Sequence, residues 1–341
     1  MKEWLIYVTE NAIVLIDILA LIIVLIGTIE AFFGGLRAML SSPSGHERRD
    51  IWLRYARWLV AGLTFQLAAD IIETSITTSW EAVARLATVS DIDTSEYAGF
   101  VKALEDRRRH FVAHGATSAD HSHEDVRTDP LETSEAARIY RSALAGEATA
   151  AESVAFRRHM LLEMARMSCE DGLVMTLHPG VRRGHHGPTA AAFGADTGHD
   201  IPLGVEFTDA LRPLLERFGT QPGFHLILFT LDETVFSREL APLAGFYPSV
   251  YVGAPWWFLD APEAIRRFRS AVMETAGFSR TAGFVDDTRA FCSIPARHDM
   301  SRRLDAGVLA QLVAEHRLDE DEAVDTALDL VTGRPTEAFK L

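Results

Sequence analysis

The side chains of this sequence that can do acid–base, metal or anion chemistry stand in five short stretches. The first holds His114, Asp120, His121 and His123. The second opens at His178 and runs through Arg182, Arg183, His185 and His186 to His199 and Asp200. Trp256 and Trp257 form the third, Asp286, Asp287 and Arg289 the fourth, and Arg297 with His298 the fifth. Clustered histidines and aspartates are the donor types that take a divalent cation. Arginines among them suit a substrate carboxylate, which a guanidinium grips through two parallel hydrogen bonds. A single histidine more often has a surface or structural role, so the clustering is the signal. The His121-Ser122-His123 spacing would put both rings on one face only within a strand, and a loop is expected there.

These stretches follow short apolar runs that alternate with charged amphipathic ones from Ser79 onward, which is the pattern of βα units. Strands are expected at 111–117, 172–178, 224–230, 249–254 and 283–287, with helices between them such as 207–219, 261–277 and 308–318. The polar stretches lie just past the C-terminal ends of these strands, the face on which (β/α) barrels build their sites. Five units are visible, and a closed barrel needs eight.

The N-terminal part is of another kind. Eighteen of the 22 residues in 12–33 are apolar, enough for a helix to cross a hydrocarbon core. Its Ile, Leu and Val residues favour insertion by roughly 4–7 kcal/mol in total, more than the off-centre Asp17 subtracts. An arginine-rich loop follows, and then a second, marginal span at about 58–76 that contains Gln66, Asp70 and Glu73. The loop arginines are expected on the cytoplasmic side. Intramembrane carboxylates such as Asp17 and Asp70 are candidates for ion or proton passage, whereas Glu30 and Glu73 lie at helix ends within reach of headgroups.

The formal net charge of −15 excludes sequence-independent nucleic-acid binding, because an acidic surface repels phosphate. The two cysteines, Cys169 and Cys292, make no disulfide framework and read as reduced core thiols.

The stretches HGATSADH, LHPGVRR, FGADTGHDIP, LFTLDETVFSRELAPLAGFYPSVYVGAPWWFLD and FVDDTRAFCSIPARHDMSRRLD identify residues from about 80 to 341 as similar to the uronate (glucuronate) isomerases of the amidohydrolase superfamily. The resemblance implies an α/β fold: an incomplete (β/α)8 barrel of the metallo-dependent-hydrolase kind, comprising strands 4–8. It implies aldose–ketose isomerisation of glucuronate to fructuronate and of galacturonate to tagaturonate, with one divalent metal, commonly zinc. By matched motif, Asp287 would bind the metal and move a proton. Arg289 would contact substrate, and His178 would be the strand-5 catalytic histidine. Trp256, Trp257, Arg297, His298 and Asp120 would bind the uronic acid sugar. Residues 1 to about 79 resemble the small DUF1622-type membrane proteins, through VLIGTIEAFFGGLR and ARWLVAGLTFQLAADIIETSI.

The expected organisation is therefore a helical transmembrane segment at 1–79 in contact with lipid, followed by a partial barrel at 80–341 that resembles a cytoplasmic enzyme. The isomerase family's His-x-His metal ligands and its Trp-Arg-Pro-Asp motif are absent before residue 110, so metal binding and turnover are expected to be impaired. Exposed strand edges leave oligomerisation open. The competing expectation is a small integral membrane protein, ion-related in function, fused near 77–81 to a non-catalytic isomerase fragment.

Overall fold

The computed structural model describes residues 18–19, 21–23, 25–34, 79–194, 197–285 and 293–341. The chain divides into two compact units. One comprises Met1–Glu81, Pro188–Thr197 and Thr288–Ile294, the other Ala82–Gly187, Gly198–Asp287 and Pro295–Leu341.

In the first unit, the described residues of 18–34 are helical throughout. Their apolar side chains point outward: Leu21, Leu25, Phe32 and Phe33 are each more than half exposed. Among the described residues no helix is long and apolar enough to cross a membrane. The membrane span expected at 12–33 is thus seen only as a helix over its described part. The second expected span, 58–76, lies outside the described residues.

The second unit is built from helices α1 (Ser79–Ser90), α2 (Tyr97–Ala113), α3 (Thr133–Leu144) and α4 (Ala150–Asp171), then α5 (Gly187–Phe193), α6 (Arg212–Phe218), α7 (Ala241–Phe246), α8 (Pro262–Ala276), α9 (Ile294–Ala314), α10 (Glu320–Val331) and α11 (Gly333–Phe339), of which α1, α5 and α9 run partly into the first unit. Its strands are β1 (Ser118–His121), β2 (Val174–Leu177), β3 (Val181–Arg182), β4 (Ile201–Pro202), β5 (Leu226–Leu228) and β6 (Val250–Val252). A four-stranded parallel sheet has the order β1-β2-β5-β6, and Thr281 adds one parallel bridge to Val252. Strands β3 and β4 form a separate antiparallel pair.

The register sets Asp120, Thr176, Ile227 and Tyr251 in one row across the sheet. Because side chains alternate along a strand, each strand serves two cores. Met175, Leu177, Leu226, Leu228, Val250 and Val252 face the helices and pack with Leu162, Leu211, Leu214 and Phe268. Val174, Ile227, Phe229 and Tyr251 face the other way, forming a smaller inner core with Ala282 and Ala338. Burial on both faces explains why the strands read as continuous apolar runs.

Local signals set the boundaries. Helix α4 begins with a capping box between Thr149 and Glu152, and ends at Gly172 in the left-handed region at φ 81°. The C-terminal tail closes the N-terminal end of the sheet. Lys340 Nζ donates to the carbonyls of Gly172 and Gly223, at 2.8 and 2.6 Å, just ahead of β2 and β5.

Two strand expectations are corrected. The run 111–117 is no strand: α2 continues to Ala113, since its face of Tyr97, Phe100, Val101 and Leu104 packs on α3 and α4. A turn at Gly115 (φ 90°) then delays the strand to Ser118. In the run 283–287 the described residues to 285 form no strand, Thr281 alone making the bridge, and 286–287 lie outside them.

Candidate active site

The C-terminal ends of β1, β2, β5 and β6 bring together residues from four separate stretches. Asp120 is the next-to-last residue of β1, and His178 follows directly on β2. Parallel pairing sets them side by side, with His178 Nδ1 2.5 Å from Asp120 Oδ1. An ionised carboxylate only accepts, so Nδ1 carries the hydrogen and Nε2 is left to take or give a proton. Thr176 Oγ1, opposite Asp120 in the register, donates to the same oxygen at 2.5 Å. Burial pushes the Asp120 carboxyl up, but the hydrogen bonds from His178 and Thr176 outweigh it and hold the group below the usual carboxylate value.

The imidazole is fixed by aromatic rings as well. Phe229, just past β5, stacks on His178 with centroids 4.0 Å apart and planes at 16°. Trp256, past β6, meets it edge-on at 4.7 Å. Gly253 makes the stack possible, since a Cβ there would lie 2.5 Å from the Phe229 ring. Trp256 Nε1 is buried without a hydrogen-bond partner among the described residues.

Trp257 holds a left-handed backbone, φ 46°, which is an outlier for a bulky residue. Its indole stacks on Phe258 at 4.9 Å and lies 5.0 Å from the Arg183 guanidinium carbon. Arg183 pairs with the buried Asp200 at 3.2 Å, and Asp200 also accepts the Gly184 N–H at 2.8 Å. The β3–β4 pair makes this possible by joining residues seventeen apart in sequence.

Of the residues expected from the sequence, Asp120, His178, Trp256 and Trp257 converge. Arg297 instead pairs with Asp260, which ends the short turn carrying Trp257. His298 packs edge-on against Phe284 at 4.9 Å. Asp287 and Arg289 lie outside the described residues. His121, one residue from Asp120, falls on the opposite face of β1: burial pushes it down to about 4, and its Nδ1 lies 3.2 Å from the Thr176 carbonyl. His114 is exposed at the end of α2 beside His110. The loop expected across His121–His123 holds for His123 only, because His121 ends strand β1. Arg183 and Asp200, from the second stretch, also join the site, and Thr176 and Phe229 join it without having been singled out. Thr176 was readable, because it precedes His178 by two and so shares its face.

The described residues do not form a metal cage: among them no group of three His, Cys, Asp or Glu side chains converges. Asp120 and His178 satisfy each other rather than diverging around a cation. The expected metal ligand Asp287 lies outside the described residues.

A parallel sheet flanked by helices, with an Asp–His pair, aromatic rings and an arginine beyond its strand ends, defines a protein of the α/β class. The family profile described as glucuronate isomerase matches residues 69–332, and the chain belongs to that family. A second profile, a protein of unknown function (DUF1622), matches residues 27–94. The two overlap between 69 and 94, around the junction expected near 80.

The uronate isomerase of Cutibacterium acnes is 54% identical over 259 residues, covering 76% of this chain and 55% of that protein. The uronate isomerase of Xanthomonas campestris pv. campestris is 46% identical over 304 residues, 89% of this chain and 64% of that one. Among solved structures, glucuronate isomerase from Caulobacter crescentus matches with a TM-score of 0.75 and 49% identity, over 76% of this chain and 54% of that chain. Uronate isomerase from Thermotoga maritima matches with a TM-score of 0.73 and 27% identity, covering 76% and 57%. The chain thus spans about half the length of the first of these relatives.

Proposed function

We propose that this chain carries the acid–base and sugar-binding part of a uronate isomerase site, for the interconversion of an aldose uronate and its ketose. The Asp120–His178 pair, held at 2.5 Å between two aromatic rings, carries this reading. The reaction takes the proton from C2, passes through an enediolate and delivers a proton to C1. The C1 aldehyde becomes an alcohol as the C2 alcohol becomes a ketone. His178 Nε2 is placed to shuttle a proton at the sugar oxygens, with Asp120 fixing its tautomer and stabilising the imidazolium. Trp256 and Trp257 offer apolar faces to the sugar ring, while Arg183 and the family-matched Arg289 supply positive charge for its carboxylate. In the family, Asp287 would hold a divalent metal, which polarises the carbonyl when bound.

The test is isomerisation of glucuronate and galacturonate by the purified chain in detergent, with added zinc or manganese. Turnover that Asp287→Asn and Asp120→Asn both abolish supports the reading. A folded sample without turnover rejects it.

The outward apolar side chains of residues 18–34 favour a second property, contact with lipid through the N-terminal segment at 12–33. Flotation of the chain with phospholipid vesicles, reduced by Leu25→Asp, would support it. Equal flotation of both proteins would not.

A further inference from the structure

We infer that Asp200 is a positioning residue, which holds the Arg183 guanidinium on the Trp257 indole at the rim of the site. This rests on the uronate reading above only for the ligand that the cation would meet.

Asp200 is buried, and both its oxygens are engaged on one short turn. Oδ2 takes Arg183 Nη1 at 3.2 Å, and Oδ1 takes the Gly184 backbone N–H at 2.8 Å. Gly184 is left-handed at φ 61°, so the carboxylate fixes the backbone that launches Arg183 as well as its side chain. The turn is tied down on both sides. Leu203 N–H donates to the Gly180 carbonyl at 2.7 Å, and His185 N–H to the His199 carbonyl at 3.1 Å.

Arg183 is itself half exposed. An exposed arginine with a long flexible stem would otherwise sample many rotamers. Here a buried carboxylate and an aromatic face select one. The face is presented in turn by a residue held at φ 46°, and Asp260, which ends that turn, is braced by Arg297. Two independently anchored elements thus meet in one cation–π contact, 5.0 Å from guanidinium carbon to ring centroid. The arrangement keeps a cation pre-oriented beside the sugar-facing tryptophans, so a carboxylate-bearing sugar gains from it and a neutral aldose does not.

The test uses the full chain with Asp200→Asn, which keeps an acceptor for Gly184 but removes the charge that orients Arg183. Tryptophan emission is recorded for the wild type, Asp200→Asn, Trp257→Phe and the double variant, with circular dichroism to show that each is folded. The expected result is an emission change on Asp200→Asn that disappears when Trp257 is already Phe. In turnover, KM for glucuronate should rise about tenfold while kcat changes far less, the mark of lost binding common to ground and transition states. Arg183→Gln, which leaves Asp200 in place, should reproduce both effects and add nothing to Asp200→Asn. Emission reads the positioning without any catalysis, so an inactive wild type would overturn the isomerase reading and leave this one decided by fluorescence. A folded Asp200→Asn protein with Trp257-dependent emission unchanged overturns the inference. If Asp200→Asn fails to fold, an Arg183→Gln protein with wild-type emission overturns it equally.

Discussion

Asp120 and His178 are 58 residues apart in the chain and 2.5 Å apart in space, and one parallel strand pair accounts for the whole approach. Nδ1 of His178 has its carboxylate partner, its ring is clamped by Phe229 and Trp256, and Nε2 is the one nitrogen left for a proton in transit. Replacing Asp120 by Asn keeps the size but offers an amide that can present either its oxygen or its NH2. We expect uronate isomerisation to fall by about 100-fold or more, in the range of a lost general acid–base contribution. Nitrogen NMR of His178 should show a mixed tautomer in Asp120→Asn and a single Nδ1–H form in the wild type. A single unchanged tautomer in both would remove Asp120 from its role.

How much of this was legible in the sequence follows from what each contact depends on. His178 and Trp256 were readable because each follows an apolar run directly. Their partnership with Asp120 was not, because it needs the register between β1 and β2. The expected strand also lay several residues early, so the alternation that separates Asp120 from His121 could not be phased. Arg183 and Asp200 meet through the two-residue pairing of β3 and β4, too short to leave a periodic signal. The parallel order of the apolar strands was plain, since double burial writes itself as unbroken aliphatic runs.

Acid should destabilise the fold before the carboxylates titrate. His121 is pushed down to about 4 by burial, and His123, His159 and His225 are shifted in the same direction by the same cause. Each binds a proton more readily unfolded than folded. The stability from its neutral form is therefore full above the unfolded value near 6.5 and is lost as pH falls toward the folded value. Each such group adds at most about 1.4 kcal/mol per pH unit within its window. Urea unfolding at pH 7.5, 6 and 5 should show a falling midpoint, with a shallower fall in His121→Gln. A midpoint constant across that range would contradict the burial of these rings.

The ion pair of Arg269 and Asp305 is fully enclosed, with bonds of 2.6 and 3.0 Å and a third from Arg269 to Thr281 at 3.1 Å. It joins α8 and α9 to the segment that leads from Thr281 toward Asp287. Asp305→Ala leaves a buried guanidinium uncompensated and should cost about 3–5 kcal/mol. The double replacement Arg269→Met with Asp305→Leu should recover most of that loss, because apolar groups of similar volume need no partner. Denaturant melts of the three proteins decide it, and additive losses would mean the two side chains are not coupled.

Gly253 tests the aromatic clamp without touching a polar group. It follows β6 directly, on the inner face opposite Phe229, and a Cβ there would meet Cδ1 and Cε1 of that ring at 2.5 and 2.6 Å. The ring has little freedom to retreat: it is 3% exposed, packed among Val174, Ile227 and Tyr251, and stacked on His178. Gly253→Ala should therefore cost about 1–3 kcal/mol by overpacking, and push the imidazole off its line with Asp120. Turnover should fall further than the change in stability explains, because His178 moves while the protein stays folded. Shortening the ring in Gly253→Ala/Phe229→Leu removes the clash and should restore the melting midpoint, but not the activity, since the stacking partner is gone. Wild-type melting and turnover in the single variant would show that Phe229 does not stand where the structure puts it, and the clamp on His178 would fall with it.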